Sequence, residues 1–238
     1  MKKFKVGIIG FGLIGKKRFF NLGNQGELVA YSDLVECKKS FFKKKKIKFF
    51  KNWKNLLKIK EIDIIIISTY HNSLSQIINL ACKFKKHILV EKPAGIRLKE
   101  LKENIKNVKK YKNIVRVGYN HRYYQSILKC KDFLNKKLLG DIMFIKSSYG
   151  HGGRCGYQKE WRMNPKISGG GELIDQGSHI IDLSIFFLGK VKNIKSHLDS
   201  FFWKKNVDDN AFLILKFKNN YTSFIHVSCT EWKNNFLF

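Results

Sequence analysis

A chain of 238 residues, 44% of them hydrophobic, can bury one large core or two modest ones without disulfide or metal staples. Its formal net charge of +29 would suit a nucleic-acid backbone, yet lysine spread along the whole chain supplies nearly all of it and arginine is scarce, so no specific nucleic-acid partner is expected. The five cysteines are scattered without a CxxC pair and no apolar run is long enough to span a bilayer, which argues against a disulfide framework, a metal site and a membrane anchor.

The first third alternates strand and helix. Phe4–Ile9 reads as a strand after a basic N-terminus that lacks the features of a signal peptide, so a cytoplasmic protein is expected. Residues 13–22 have helical character and 27–32 read as a second strand, completing one βαβ unit. The lysine run at 43–46 reads as a solvated loop or helix end, and 49–58 as a short turn or helix. A strand buried on both faces follows at 62–68, then a helix at 73–83, a strand at 87–90, an amphipathic helix at 98–110 and a strand at 114–118. Near Asn120 the rhythm changes to a helix at 124–138, a strand at 142–149, a glycine-rich stretch and a helix from about Gly171. Segments 191–202, 211–217 and 222–230 then alternate as an antiparallel sheet would. The expected fold is α/β: a doubly wound parallel Rossmann domain over residues 1–120, and an α+β domain with an open, mostly antiparallel sheet over 121–238. The apolar stretch at 232–238 is expected to leave that sheet incomplete or to be paired in an oligomer.

Gly10-Phe11-Gly12-Leu13-Ile14-Gly15 follows a strand and opens a helix, the context in which GxGxxG is specific for a dinucleotide. The first glycine makes the turn, the second admits the pyrophosphate, and the third lets helix and strand pack closely. Asp33, about twenty residues further on, suits the adenosine ribose hydroxyls, which favours NAD. Lys38 and Lys39 nearby leave NADP open. Ser68 and Thr69, ending the next strand, complete the candidate cofactor edge.

Three further segments carry candidate chemistry. Glu91-Lys92-Pro93 ends a strand on the sheet's carboxyl edge, where a lysine can hydrogen-bond a substrate hydroxyl. Gly118-Tyr119-Asn120-His121-Arg122-Tyr123 fits a hinge in which Asn120 and Arg122 contact the cofactor, or Arg122 an acidic substrate, and Tyr119 contacts the substrate. From Gly169 to Asp182, Asp175, His179 and Asp182 fall at i, i+4 and i+7 on one helical face, opposite an apolar stripe. An imidazole there can accept an alcohol proton while a carboxylate orients it, although a solvated polar face has the same spacing. Just upstream, Arg154, Tyr157, Trp161 and Arg162 suit stacking on a sugar or nucleotide and pairing with an anion, or a structured loop.

In this order and at these separations, the segments resemble the glucose-fructose oxidoreductase / inositol dehydrogenase / MocA family over essentially the entire chain. The resemblance implies reversible hydride transfer between NAD(P) and a hydroxyl carbon of a sugar, cyclitol or nucleotide sugar, with homo-oligomers formed through the C-terminal sheet. It implies that Lys92, Asp175 and His179 are the catalytic lysine, acid and histidine, His179 taking the proton. Some relatives instead retain NAD for elimination or glycoside cleavage, and a non-catalytic dinucleotide binder is a third possibility. Two departures stand out: Thr69-Tyr70-His71-Asn72 replaces the usual Thr-Pro-Asn turn, and family chains normally continue with additional strands.

Overall fold

The structure is a computed structural model and describes residues 3–42 and 46–238. Residues 43–45 of the lysine run, and Met1 and Lys2, lie outside the described residues. The chain divides into two compact units, Met1–Gly118 and Tyr119–Phe238.

In the first unit the apolar strands build a sheet with a core on each face. It comprises β1 (Phe4–Ile9), α1 (Leu13–Phe20), β2 (Gly26–Ser32), β3 (Lys48–Phe50), α2 (Trp53–Leu57), β4 (Ile64–Ile67), α3 (His71–Lys83), β5 (His87–Val90), α4 (Leu98–Tyr111) and β6 (Val115–Val117). All strand pairs are parallel, in the order β3-β2-β1-β4-β5-β6. Ile8 and Ile66 face one apolar cluster, and Ile9, Ile65, Ile67 and Val90 the other. That two-sided burial is why the strands read as continuous apolar runs. The strand order reverses between β1 and β4, and the crevice at their carboxyl ends is where open α/β sheets hold ligands. Within residues 49–58 the expected short helix is α2, but the segment opens on the strand β3. Phe49 pairs with Tyr31 at the edge of β2 and packs on its ring at 5.3 Å, so three residues form a strand too short to show a period of two.

The second unit begins with a 3-10 turn, Asn120–Tyr123, and contains α5 (Gln125–Asn135), β7 (Phe144–Gly150), α6 (Pro165–Ser168), α7 (Ser178–Leu188), β8 (Val191–Asp199), β9 (Asn210–Phe217), β10 (Thr222–Ser228) and β11 (Asn235–Leu237). Its sheet runs β11-β7-β10-β9-β8, antiparallel except for the β7–β10 pair. Ile180 and Leu188 of α7 pack against Leu213, Leu215, Phe217, Ile225 and Val227 on one face of this sheet. On its opposite face Phe144, Ile214 and Phe224 are exposed. The 232–238 segment supplies β11, which pairs with β7.

No helix among the described residues is long and apolar enough to cross a membrane.

Candidate functional site

In the first unit the glycine motif divides by the room around each position. A side chain at Gly10, where φ is +86°, would press on the Ser68 carbonyl, and one at Gly15 would overlap the Gly10 carbonyl oxygen. These two glycines therefore close the turn and seat α1 against β1. At Gly12 nothing lies within 4 Å of the position a Cβ would take. This bare surface lies at the N-terminus of α1, which no side chain caps, so the first helical N–H groups are left for an external acceptor. The residues thus fit a pyrophosphate.

Asp33 lies beyond the end of β2, and its Oδ2 accepts the Phe11 N–H at 2.6 Å while Oδ1 accepts from Leu34 N at 2.6 Å. The carboxylate is thereby held beside the glycine turn. Ser68 Oγ donates to the Gly10 carbonyl at 2.7 Å, tying together the ends of the two strands that flank the switch point. Thr69 accepts from Ser73 Oγ at 2.7 Å at the start of α3. The Glu91 carboxylate takes Arg18 Nε at 2.7 Å, so this residue of the Glu-Lys-Pro segment locks α1 to the end of β5, with Lys92 next in the chain. Gly118 sits against both partners of this pair: a Cβ there would lie 3.1 Å from Glu91 and 3.2 Å from Arg18.

In the second unit the helix that carries Asp175 and His179 is not uniformly α. Leu173–Gly177 is a π-helical turn that continues directly into α7. Its start is held by Asp208, whose Oδ1 accepts Gly171 N–H at 2.9 Å, whose Oδ2 accepts Leu173 N–H at 2.7 Å, and whose carbonyl accepts Glu172 N–H at 2.9 Å. A Cβ at Gly171 would overlap the Asp208 backbone, which explains the glycine. Asp209 next door accepts the N–H groups of Phe201, Phe202 and Trp203 at 2.8–2.9 Å. Burial alone would raise its carboxyl. The Trp203 N–H, the Asn210 amide and the other two N–H groups outweigh that and hold it below the usual range.

Asp175 and His179 are both buried, as is Asp182. Arg162 Nε donates to Asp175 at 2.8 Å and its Nη1 to Glu160 at 3.3 Å, and Glu160 in turn takes both Nε and Nη2 of Arg154. Burial works against the Arg162 charge, but the Asp175 carboxylate outweighs it and holds the guanidinium proton more tightly than usual. His179 stacks face to face on His121, with ring centroids 4.0 Å apart and planes 17° from parallel. Tyr119 meets His179 edge-on at 5.8 Å. The arrangement offers an imidazole able to exchange a proton, one helical turn from a carboxylate oriented by a half-buried arginine.

Several sequence expectations change here. Arg122, expected on the cofactor, gives Nε and Nη2 to the two oxygens of Asp182, each at 2.6 Å, and so clamps the Asn120–Tyr123 turn to α7. Asp182 is therefore half of a structural ion pair rather than a second solvated acid. Tyr157, expected to stack on substrate, is 2% exposed in a small core with Met163, Val207, Cys229 and Trp203. Burial pushes its phenol far up. Arg154 and Arg162, expected on a substrate anion, face Glu160 and Asp175, and Arg162 lies over the Trp161 ring at 4.7 Å. The Phe11 ring is buried among Phe19, Tyr31, Phe41 and Phe42, while Leu13 and Ile14 are exposed on α1 and Asn120 is exposed on its turn. His121, Glu160 and Asp208 were not among the candidates. Only for Asp208 is there no sequence signal at all; His121 lies within a motif, and Glu160 sits two residues from Arg162.

A family sequence model described as "Oxidoreductase family, NAD-binding Rossmann fold" matches residues 4–119, and a "GFO/IDH/MocA C-terminal domain" model matches 127–237. The chain is 24% identical over 228 residues to the myo-inositol 2-dehydrogenase of Thermotoga maritima, covering 90% of this chain and 65% of that one. It is 24% identical over 170 residues to the trans-1,2-dihydrobenzene-1,2-diol dehydrogenase of Xenopus tropicalis, covering 71% and 50%. It thus spans less than two thirds of the length of either relative. A solved structure of the WlbA dehydrogenase from Chromobacterium violaceum, in complex with NADH and UDP-GlcNAcA, superposes with a TM-score of 0.89 at 20% identity, over 99% of this chain and 70% of that one.

Proposed function

We propose, from the premise that this chain belongs to the GFO/IDH/MocA family of oxidoreductases, that it is an NAD-dependent dehydrogenase acting on a hydroxyl carbon of a sugar, cyclitol or nucleotide sugar. The observation that carries this is the bare Gly12 surface at the open start of α1, with Asp33 held beside the same turn. The first unit would hold the dinucleotide, with Gly10–Gly15 against the pyrophosphate and Asp33 on the ribose hydroxyls, a preference for NAD over NADP. When bound, the nicotinamide supplies the two-electron acceptor for the carbon.

His179 takes the hydroxyl proton, Asp175 orients the imidazole, and Arg162 holds Asp175 in place. Lys92 hydrogen-bonds the reacting oxygen and stabilises charge developing on it. The second unit carries the substrate contacts, and Tyr119 on its first turn is the aromatic contact for a sugar ring. The bound UDP-GlcNAcA of the similar dehydrogenase supports nucleotide sugars as the first class to test.

The exposed face of the second sheet, with Phe144, Ile214 and Phe224, would pair with a second copy of this chain. The five unpaired thiols support a cytoplasmic location.

The test is a panel of sugars, cyclitols and nucleotide sugars incubated with NAD and with NADP and followed at the absorbance of the reduced nicotinamide. Net reduction with at least one class, faster with NAD, is expected. Turnover without net reduction would move the assignment to an NAD-retaining lyase, and NAD binding without any turnover would reject the enzyme. Sedimentation of the same material should show a species heavier than one chain; a monomer at every concentration would remove the sheet from the proposal.

A further inference from the structure

Asn104 breaks the pattern of the helix that carries it. Among the described residues of α4 it alone is buried, at 6% exposure, whereas Leu101, Val108 and Tyr111 are only partly covered by the core of the first unit. An amide in the most enclosed position of an amphipathic helix is there for its hydrogen bonds. Asn104 Nδ2 donates to the Ala94 carbonyl at 3.0 Å, and Asn104 Oδ1 accepts from Ser75 Oγ of α3 at 2.8 Å. Ser75 is itself buried. We infer that Asn104, oriented by Ser75, is a positioning residue that fixes the turn at 91–94 and with it the placement of Lys92. The consequence for turnover rests on the reading of Lys92 as the group that hydrogen-bonds the reacting oxygen.

The turn needs a holder. Ala94 has a φ of +69°, in the left-handed region that alanine rarely takes, and such a conformation persists where its surroundings impose it. Its N–H closes the turn on the Glu91 carbonyl at 3.3 Å, so the bond from Asn104 to its own carbonyl is the shorter of the two. A carbonyl can only accept, so the Asn104 atom facing it is the amide nitrogen, and the Ser75 hydroxyl, donating to the amide oxygen, holds the side chain in that orientation. The other end of the turn is pinned to the sheet, with the Glu91 N–H donating to the Ile67 carbonyl at 2.9 Å. Lys92 thus lies between one point fixed by β4 and another fixed by α3 and α4.

A second amide pair shows what the same two helices use for packing alone. Asn107 Nδ2 of α4 donates to Asn79 Oδ1 of α3 at 2.8 Å, about one turn further along each helix. That bond runs directly from helix to helix. Asn104 instead gives its donor to the loop that follows the Glu-Lys-Pro segment.

The experiment measures amide hydrogen exchange and steady-state kinetics for the whole chain, Asn104→Leu, Ser75→Ala and Asn107→Leu. Leucine has the branched shape of asparagine and favours a helix, and Ser75→Ala carries the test should Asn104→Leu fail to fold. In Asn104→Leu the Ala94 N–H should exchange about 10-fold faster or more, while the Glu91 and Gly118 N–H groups, bonded to the Ile67 and Val90 carbonyls, keep their protection. The kcat should fall by about 10–100-fold, the scale of a misplaced reacting group, with the Kd for NAD within about twofold. Ser75→Ala should move exchange and kcat in the same direction by less, and Asn107→Leu should move neither. A merely structural role would speed exchange throughout the first unit in parallel and lower kcat equally in the Asn104 and Asn107 variants. That result overturns the inference, as does a turn no looser, or a kcat unchanged, in Asn104→Leu. Because exchange needs no substrate, selective loosening of the turn in a protein without turnover would reject the dehydrogenase and keep Asn104 as the holder of the turn, and turnover with an unaltered turn would do the reverse.

Discussion

His179→Asn is expected to lower kcat by about 10²–10⁴-fold, the range carried by a positioned general base. Asparagine is smaller than histidine, polar and tolerated in a helix, so α7 should keep its packing through Ile180 and Leu188. It cannot take a proton at neutral pH. The Kd for NAD, carried by the glycine turn and Asp33 in the first unit, should stay within about twofold, because that turn and the substituted helix belong to different compact units. Steady-state kinetics at saturating substrate, with calorimetric titration of NAD, separates the two quantities. A loss of less than tenfold would take His179 out of the proton-transfer step, and a matching loss of NAD affinity would mean that the substitution acted through the fold.

A comparable effect is expected from two glycines only three residues apart, acting on different quantities. Gly12→Val should leave stability within about 1 kcal/mol, since φ at this position is −70° and nothing lies within 4 Å of the added Cβ. The same substitution should weaken NAD by about 100-fold or more, equivalent to roughly 2.7 kcal/mol, because the branched side chain fills the surface the pyrophosphate needs. Gly15→Ala should behave in the opposite way. Its methyl would overlap the Gly10 carbonyl oxygen, so α1 must move from β1 at a cost of about 1–3 kcal/mol or more. Thermal denaturation and NAD titration of both variants give a two-by-two outcome. Equal destabilisation by both, with no difference in NAD affinity, would mean that the turn serves only the fold.

Much of the chemistry assigned to the second unit depends on which charge meets which. Arg122 and Asp182 are 60 residues apart in the chain, the first expected on the cofactor and the second on the polar face of the helix with Asp175 and His179. Folding brings them into a two-point ion pair, and an arginine so engaged holds an element in place rather than waiting for an anion. Arg162 shows the same conversion at shorter range, since its partner Asp175 lies 13 residues on. Tyr157 has the composition of a sugar-stacking residue and the burial of a core residue.

The sequence by itself determined the parallel order of strand and helix in the first unit, the glycine turn, the carboxyl-edge position of Lys92, and the joint placement of Asp175 and His179. Each of these is a matter of local period or local backbone freedom: a strand repeats every two residues, a helix every three to four, and a glycine marks where a Cβ would clash with the backbone or cover a surface a phosphate needs. Only the tertiary structure decided the three-residue strand β3, the cap from Asp208 to Gly171 and Leu173, the Glu160–Arg162–Asp175 chain, and the stack of His121 on His179. Those contacts join side chains whose proximity is set by how sheets and helices pack, and packing leaves no periodic trace in either partner's own stretch of chain.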